Sequence, residues 1–331
     1  MFIIQTYPLA VLFCIITMIC WGSWANTQKL AASSWRFELF YWDYVIGILL
    51  LSLVFAFTLG STGESGRNFM EDLAQANTAN IGSAIWGGVL FNAANILLVA
   101  AISIAGMSVA FPVGIGLALI IGVIVNYLDN PVGNPTYLLI GVGLVTLAIL
   151  LNANAYRKLS NNRGIVSSKG LWLSVIAGLL MGFFYKYVAN SMFPDFNHPI
   201  SGKLSPYTAV VFFASGIFLS NIIFNTLLMR RPFVGTPLSY SDYFAGKFKT
   251  HLVGVLGGII WCIGMSFSII ASEQAGPAIS YGLGQGATVV AALWGIYIWK
   301  EFKNAPKGVN NLLKIMLLCY LFGLALLIIA R

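Results

Sequence analysis

Long apolar runs broken by short polar segments dominate the chain. Ten runs of about 19 to 23 residues predict ten membrane-spanning helices, since roughly 20 apolar residues cross a hydrocarbon core about 30 Å thick. They lie near 6–27, 40–60, 82–102, 107–128, 136–155, 170–192, 207–229, 251–271, 277–299 and 311–330. Gly60-Ser61-Thr62-Gly63 closes the second run and Asp129-Asn130-Pro131 the fourth. Arg157-Lys158 through Lys169 closes the fifth, Arg230-Arg231-Pro232 the seventh, and Lys300-Glu301 through Pro306-Lys307 the ninth. Runs three and four are separated only at Gly106, and runs eight and nine only at Gly276-Pro277, so each pair is expected to form a hairpin. The expected fold class is an all-α integral membrane protein.

Composition points the same way. Of the 331 residues, 59% are hydrophobic and only 8% charged, and the mean hydropathy is +0.86. A soluble domain carries about a quarter charged residues. The ten runs take roughly 210 residues and leave about 120, too few for an added soluble catalytic or nucleic-acid-binding domain. The net charge of +8 is scattered over loops rather than gathered in one stripe, which excludes a nucleic-acid partner. Cys14, Cys20, Cys262 and Cys319 fall inside apolar runs and read as small core residues, and His198 and His251 stand far apart, so neither a metal nor a cofactor is expected. No nucleophile–base pair or paired acids occur within a run, so the chain is not read as an enzyme.

The basic residues instead set topology. Thirteen Lys and Arg residues fall on loops 1–2, 5–6, 7–8 and 9–10, against Arg67, Lys203 and Arg331 on the other face. The positive-inside rule then places both termini outside the cytoplasm.

An internal repeat is also legible. Gly87-Gly88 recurs as Gly257-Gly258, Ala105-Gly106 as Ala275-Gly276, Gly114 and Gly116 as Gly284 and Gly286, and Tyr127 as Tyr297, all at an offset of 170 residues. The expected organisation is a five-helix repeat over 1–156, a basic cytoplasmic linker over 157–169 and a second five-helix repeat over 170–331. An odd number of spans per half makes the halves opposite in topology, a recurring secondary-transporter design that exposes one central site to either face in turn.

Polar side chains within the runs are the candidates for that site, because an unpaired polar group in hydrocarbon is costly. Asn92 and Asn95 share nearly one helix face, as do Tyr281 and Gln285, and Asn221 and Asn225. Asn26 closes the first run. Each of these can hydrogen-bond an uncharged solute or serve as interhelical glue. Trp86 and Trp261 can stack on a ring or simply pack. Lys186, about 24 Å into the sixth run by helical rise, either lines the cavity or snorkels outward. Acids are few, and none falls at mid-membrane. Asp43, Glu273 and Lys186 are the coupling candidates.

Four stretches carry a family resemblance: Trp21 to Leu30; Tyr41-Trp42-Asp43-Tyr44 with Phe57-Thr58-Leu59-Gly60; Gly87 through Asn95, Ala105-Gly106-Met107-Ser108 and on to Asn126-Tyr127; and Trp299 through Ala305. They resemble the drug/metabolite transporter superfamily, in the branch of glucose/ribose porters, the rhamnose–proton symporter and plant ureide permeases. The resemblance implies uptake of sugars or nitrogen-rich heterocycles, coupling to protons, and a bundle of spans 1–4 and 6–9 with spans 5 and 10 peripheral. Loop 2–3, with Asn68-Phe69 and nearby acids, resembles the ureide branch. Lys186 is a departure from the family pattern.

The sequence is thus read as a bacterial inner-membrane secondary transporter working by alternating access. Its expected cargo is a small neutral polar solute, a sugar first, taken up with a proton. A ureide or purine-derivative permease, a multidrug or metabolite exporter, and a non-transporting membrane scaffold are the alternatives.

Overall fold

The structure, a computed structural model, describes residues 1–31, 35–159 and 167–331. Its fourteen α-helices are α1 (Tyr7–Ser23), α2 (Asn26–Leu30), α3 (Phe37–Phe57), α4 (Phe69–Gln75), α5 (Thr78–Ala105), α6 (Met107–Asp129), α7 (Pro135–Leu159), α8 (Ser168–Ser191), α9 (Pro206–Arg230), α10 (Tyr240–Phe244), α11 (Phe248–Ala275), α12 (Pro277–Gln285), α13 (Ala287–Leu293) and α14 (Val309–Ile329). A π-helical turn over Trp294–Ile298 continues α13. Among the described residues nine helical segments are long and apolar enough to cross a membrane, and α1 is a shorter apolar helix. The eighth of these runs from Pro277 to Ile298 and is broken at Gly286. The expected basic linker is narrower than 157–169. Arg157 and Lys158 belong to the last turn of α7, and Ser168 already starts α8. Arg163 lies outside the described residues.

Polarity is arranged as a membrane requires. Exposed positions on the long helices are residues such as Leu321, Phe322, Ile223 and Leu147, while Thr17, Asn92, Asn221 and Ser268 are buried. In lipid there is no apolar driving force between helices, so close packing and interhelical hydrogen bonds hold the bundle. Both hairpin turns fall where expected. Gly106 (φ 80°) ends α5 and Gly276 (φ 82°) ends α11, each in a backbone region that side chains with a Cβ rarely adopt.

Glycines set the two tightest crossings. Where α5 meets α9, a Cβ on Gly88 would lie 2.1 Å from the Phe213 carbonyl oxygen, and one on Gly216 would lie 2.1 Å from that of Ile85. Where α11 meets α3, a Cβ on Gly258 would lie 1.9 Å from the Tyr44 carbonyl oxygen, and one on Gly47 would lie 2.2 Å from that of Val255. The atoms in the way are backbone, so no rotamer change relieves them.

On the face away from most basic residues, two loops are locked together. Asp72, expected to lie in a loop, is instead a fully buried residue of α4. It accepts from Arg67 Nε at 2.9 Å and from the backbone N–H of Ser205 at 2.7 Å. Arg67 in turn donates to the carbonyls of Ile200 and Lys203. Taking one partner from a buried charged pair leaves an uncompensated charge, so this cap is costly to open piecemeal.

Gly258→Ala and Gly88→Ala are each expected to lower stability by about 1–3 kcal/mol, the usual cost of overpacking. Gly143→Ala, with open space around it, is expected to leave stability unchanged. Thermal unfolding of the three purified variants in detergent checks the contrast.

Candidate functional site

A large cavity of about 740 Å³ opens among α1, α2, α5, α6, α7, α8, α11 and the broken segment α12–α13. That volume is in the range of small-molecule sites. Its mouth is framed by Lys29, Tyr156, Leu159, Trp299 and Glu301, on the face that carries most of the Lys and Arg residues.

Aromatic side chains form the floor. Trp261 stacks on Trp21 (centroids 5.7 Å, planes 11° apart) and lies 4.5 Å from Phe91. The Trp21 indole donates to the Trp261 carbonyl at 3.2 Å. Phe184 also lines the cavity and packs edge to face on Tyr185 and Tyr281 behind it. Amides line the walls. Asn95 of α5, Asn152 of α7 and Gln285 of α12 reach the cavity, joined by Thr288 of α13. The Gln285 amide has no hydrogen-bond partner among the described residues, and the side-chain oxygen of Asn152 is buried without one. Gln285 sits where the helix is interrupted. Gly286, pressed against Met18, ends α12, and the Thr288 hydroxyl donates to the Gln285 carbonyl at 3.1 Å.

The mouth holds the cavity's charges as a pair. Lys29 Nζ lies 3.0 Å from Glu301 Oε1, and the Tyr156 hydroxyl donates to Glu301 Oε2 at 2.6 Å. Lys29 also sits over the Trp299 ring, whose indole donates to Asn26 Oδ1 at 2.6 Å. The chain reaches this arrangement by reversing at Lys300, which takes a left-handed φ of 53°. That turn folds Glu301 back over Gly295, where a side chain would strike both Tyr156 and Glu301.

Of the residues expected in the site, Asn26, Asn95, Trp261 and Gln285 line the cavity. The others stand elsewhere, each for a local reason. Asn92 is fully buried behind Asn95, bonded to Tyr41 and Ser220. Tyr281 is one turn before Gln285, and its hydroxyl lies 3.1 Å from the carbonyls of both Ala118 and Met181, so its one proton is shared between α6 and α8. Trp86 is 50% exposed on the outer surface of α5, because Gly87, Gly88 and Phe91 take the inward face. Lys186 points outward and pairs with Asp129 at 2.8 Å, the snorkelling alternative, while Asn190 holds the second Asp129 oxygen.

The expected coupling carboxylates are not on the cavity either. Glu273 accepts the Phe196 backbone N–H at 2.6 Å near the capped face. Asp43 is buried near the start of α3, accepting from the Tyr243 hydroxyl at 2.6 Å and facing His251 Nδ1 at 2.8 Å. Burial and that carboxylate raise the Tyr243 phenol above its ordinary range, which keeps it a donor.

Span five, which the resemblance makes peripheral, contributes Ile149, Asn152, Ala153, Tyr156 and Leu159 to the cavity. Asn152 and Tyr156 are four apart on one helix face, a signal present in the sequence but passed over. Glu301 carried no such signal, since its position depends on the reversal at Lys300.

The chain is similar over nearly its whole length to plant transport proteins. Ureide permease 4 of Arabidopsis thaliana is 25% identical, covering 99% of this chain and 98% of that protein, and ureide permease 1 of the same plant is 24% identical over the same shares. A solved crystal structure at 14% identity superposes over 96% of both chains with a TM-score of 0.59, which shows a shared fold. The family model described as ureide permease matches residues 40–169 and 154–330. A multi-pass chain with an amide-lined cavity, matched by that model across both of its halves, belongs to the ureide permease family.

Proposed function

We propose that this protein is an alternating-access permease for small, neutral, nitrogen-rich solutes: ureides and related purine derivatives. The observation that carries this reading is the cavity's chemistry. Its walls offer primary amides, its floor offers aromatic faces, and its charges, Lys29 and Glu301, are paired at the mouth. Carboxamides match the alternating N–H and C=O groups of a ureide or lactam, and the rings can stack on a planar solute. A sugar could use the same amides, but the relatives are named for ureides, so the sugar expectation gives way to its alternative. The exporter reading lacks support, because the one cavity carboxylate, Glu301, already has a lysine partner. A scaffold has no use for a cavity of this size.

The mechanism we infer is rocking of two five-helix repeats of opposite topology, residues 1–156 and 170–331. The packing supports it: α5 against α9 and α8 is matched by α11 against α3 and α1. The paired glycine crossings sit at equivalent positions in the two sets. We place the basic face in the cytoplasm, so that the cavity described above is the inward-open one and the Arg67–Asp72 cap closes the outside. We retain the proton as coupling ion and reassign its site to Glu301, which touches the cavity. The groups facing that carboxylate are Lys29 from α2 and Tyr156 from α7. Protonation there would release Lys29 and loosen the mouth.

Four outcomes are expected. Allantoin-like ureides or lactam heterocycles should stabilise the purified protein thermally, as any ligand of the folded state must. Asn95→Ala and Gln285→Ala should each weaken that ligand by roughly 1 kcal/mol, several-fold in Kd, while Trp86→Ala and Lys186→Ala leave it unchanged. Sugar binding without ureide binding would overturn the substrate class. In intact cells, a cysteine at Glu64 should react with a membrane-impermeant thiol reagent and one at Lys249 should not; the reverse pattern would invert the topology. Glu301→Gln should bind ligand in detergent yet lose the dependence of uptake on external pH, and an unchanged pH profile would remove Glu301 from coupling.

A further inference from the structure

We propose that Tyr41 is the positioning residue that fixes how the cavity recognises its solute, by holding the Asn95 amide with its carbonyl oxygen toward the cavity. This inference rests on the ureide reading above and deepens it. It makes the solute's N–H group, rather than its carbonyl, the feature read at Asn95.

The argument follows a directed chain of hydrogen bonds from α9 through α5 and α3 to the cavity. The chain starts at backbone, whose polarity cannot change. Ser220 Oγ donates its single proton back to the Gly216 carbonyl at 2.7 Å, with the Ile217 carbonyl 3.1 Å away. Its oxygen therefore serves as an acceptor, and Asn92 Nδ2 donates to it at 2.8 Å while also lying 3.3 Å from the Ile217 carbonyl. A flipped Asn92 would set its own oxygen against that carbonyl and could keep Ser220 only by drawing its proton away from Gly216. The Asn92 oxygen is consequently the acceptor for the Tyr41 hydroxyl, at 2.9 Å. A phenol has one proton to give, and here it is spent. The Tyr41 oxygen can only accept, which it does from Asn95 Nδ2 at 3.1 Å.

Asn95 is thereby left one way round, its amide nitrogen turned inward and its carbonyl oxygen available to the cavity it lines. Tyr41 and Asn92 are fully buried and Asn95 and Ser220 nearly so. Leaving any of these groups unpaired would cost its full desolvation, so the polarity is strongly held. Tyr41 is itself fixed between the rings of Phe37 and Tyr44, at 5.0 and 5.3 Å. Tyr41 does not touch the cavity, so its role is exerted through Asn95.

The consequence is a preference that N-methylation should reveal. A cyclic ureide such as hydantoin can donate N–H to the Asn95 oxygen, and its N-methylated analogue cannot. Binding of hydantoin and its singly methylated forms would be measured by calorimetry on the full-length protein in detergent, for the wild type, Tyr41→Phe and Asn92→Ala. In the wild type, methylating the engaged nitrogen is expected to weaken binding about tenfold or more. In Tyr41→Phe the Asn95 amide loses the acceptor that oriented it and can turn, so the methylation penalty should shrink to about threefold or less, even if parent binding is also weaker. Asn92→Ala removes the acceptor of the Tyr41 proton without approaching the cavity, so the phenol can donate to Asn95 and let its amide turn. It should shrink the penalty in the same direction, which keeps the test open if Tyr41→Phe does not fold. A penalty unchanged in the folded variants makes Tyr41 a packing residue and overturns the proposal alone. A wild type that binds no ureide or lactam at all overturns the functional reading as well.

Discussion

Backbone-to-backbone contact between helices is the constraint on which the rest of the structure depends. In lipid, apolar side chains gain nothing by leaving their surroundings for one another, so attraction between helices comes from dispersion at close range and from the few available hydrogen bonds. Glycine supplies the first. At Gly88 with Gly216, and again at Gly47 with Gly258, the missing side chains bring one helix onto the carbonyls of the next. These crossings hold α5 on α9 and α11 on α3. The same approach brings the Asn92 amide within reach of Ser220 and Tyr41, because long side chains at the crossing would hold the helices apart. Close packing and polar pairing are therefore one device rather than two.

The cavity is what remains where this packing is relaxed. Away from the two tight crossings, the segment α12–α13 is interrupted at Gly286, and Gln285 there lines the cavity. An interrupted helix at mid-membrane is tolerated only where it is buried or lines a water-filled space. The break falls at the cavity wall, as that rule requires. On the opposite side, the aromatic floor and the Arg67–Asp72 cap close the bundle with side chains whose hydrogen bonds run to backbone carbonyls of other helices and loops.

Much of this was legible in the chain. The apolar runs marked the helices, and Gly106 and Gly276 marked both hairpin turns, because a positive φ between two apolar runs leaves glycine as the natural residue. Asn95, Gln285, Asn26 and Trp261 could be picked out as polar or aromatic groups at inward spacing. The failures share a cause. Lys186 needed knowledge of Asp129, 57 residues away, and Tyr281 needed knowledge of which carbonyls α6 and α8 would present. Helical period says which side chains share a face, but it does not say what the face meets. Trp86 shows the limit plainly: a single step from Gly87 along α5 turned it from the bundle to the lipid. Glu301 was beyond reach for a different reason, since a reversal at one non-glycine residue returned it to the mouth.

The neutrality of the cavity then constrains what it can carry. A charged solute entering a site walled by amides and aromatic rings would lose its hydration and find no opposite charge to replace it, a loss of several kcal/mol that no single amide repays. The two charges at the mouth already satisfy one another, and Tyr156 takes the remaining carboxylate oxygen. A neutral solute loses less, provided that each of its polar groups meets a complementary one. With Asn95 set as an acceptor and Gln285 and Asn152 unpaired, the site supplies both halves of an amide-to-amide match. A hydroxyl can donate to one amide and accept from another as well, so the amides alone do not turn a sugar away; the aromatic faces of Trp21, Trp261 and Phe91 add the preference for a flat solute that carries N–H and C=O side by side.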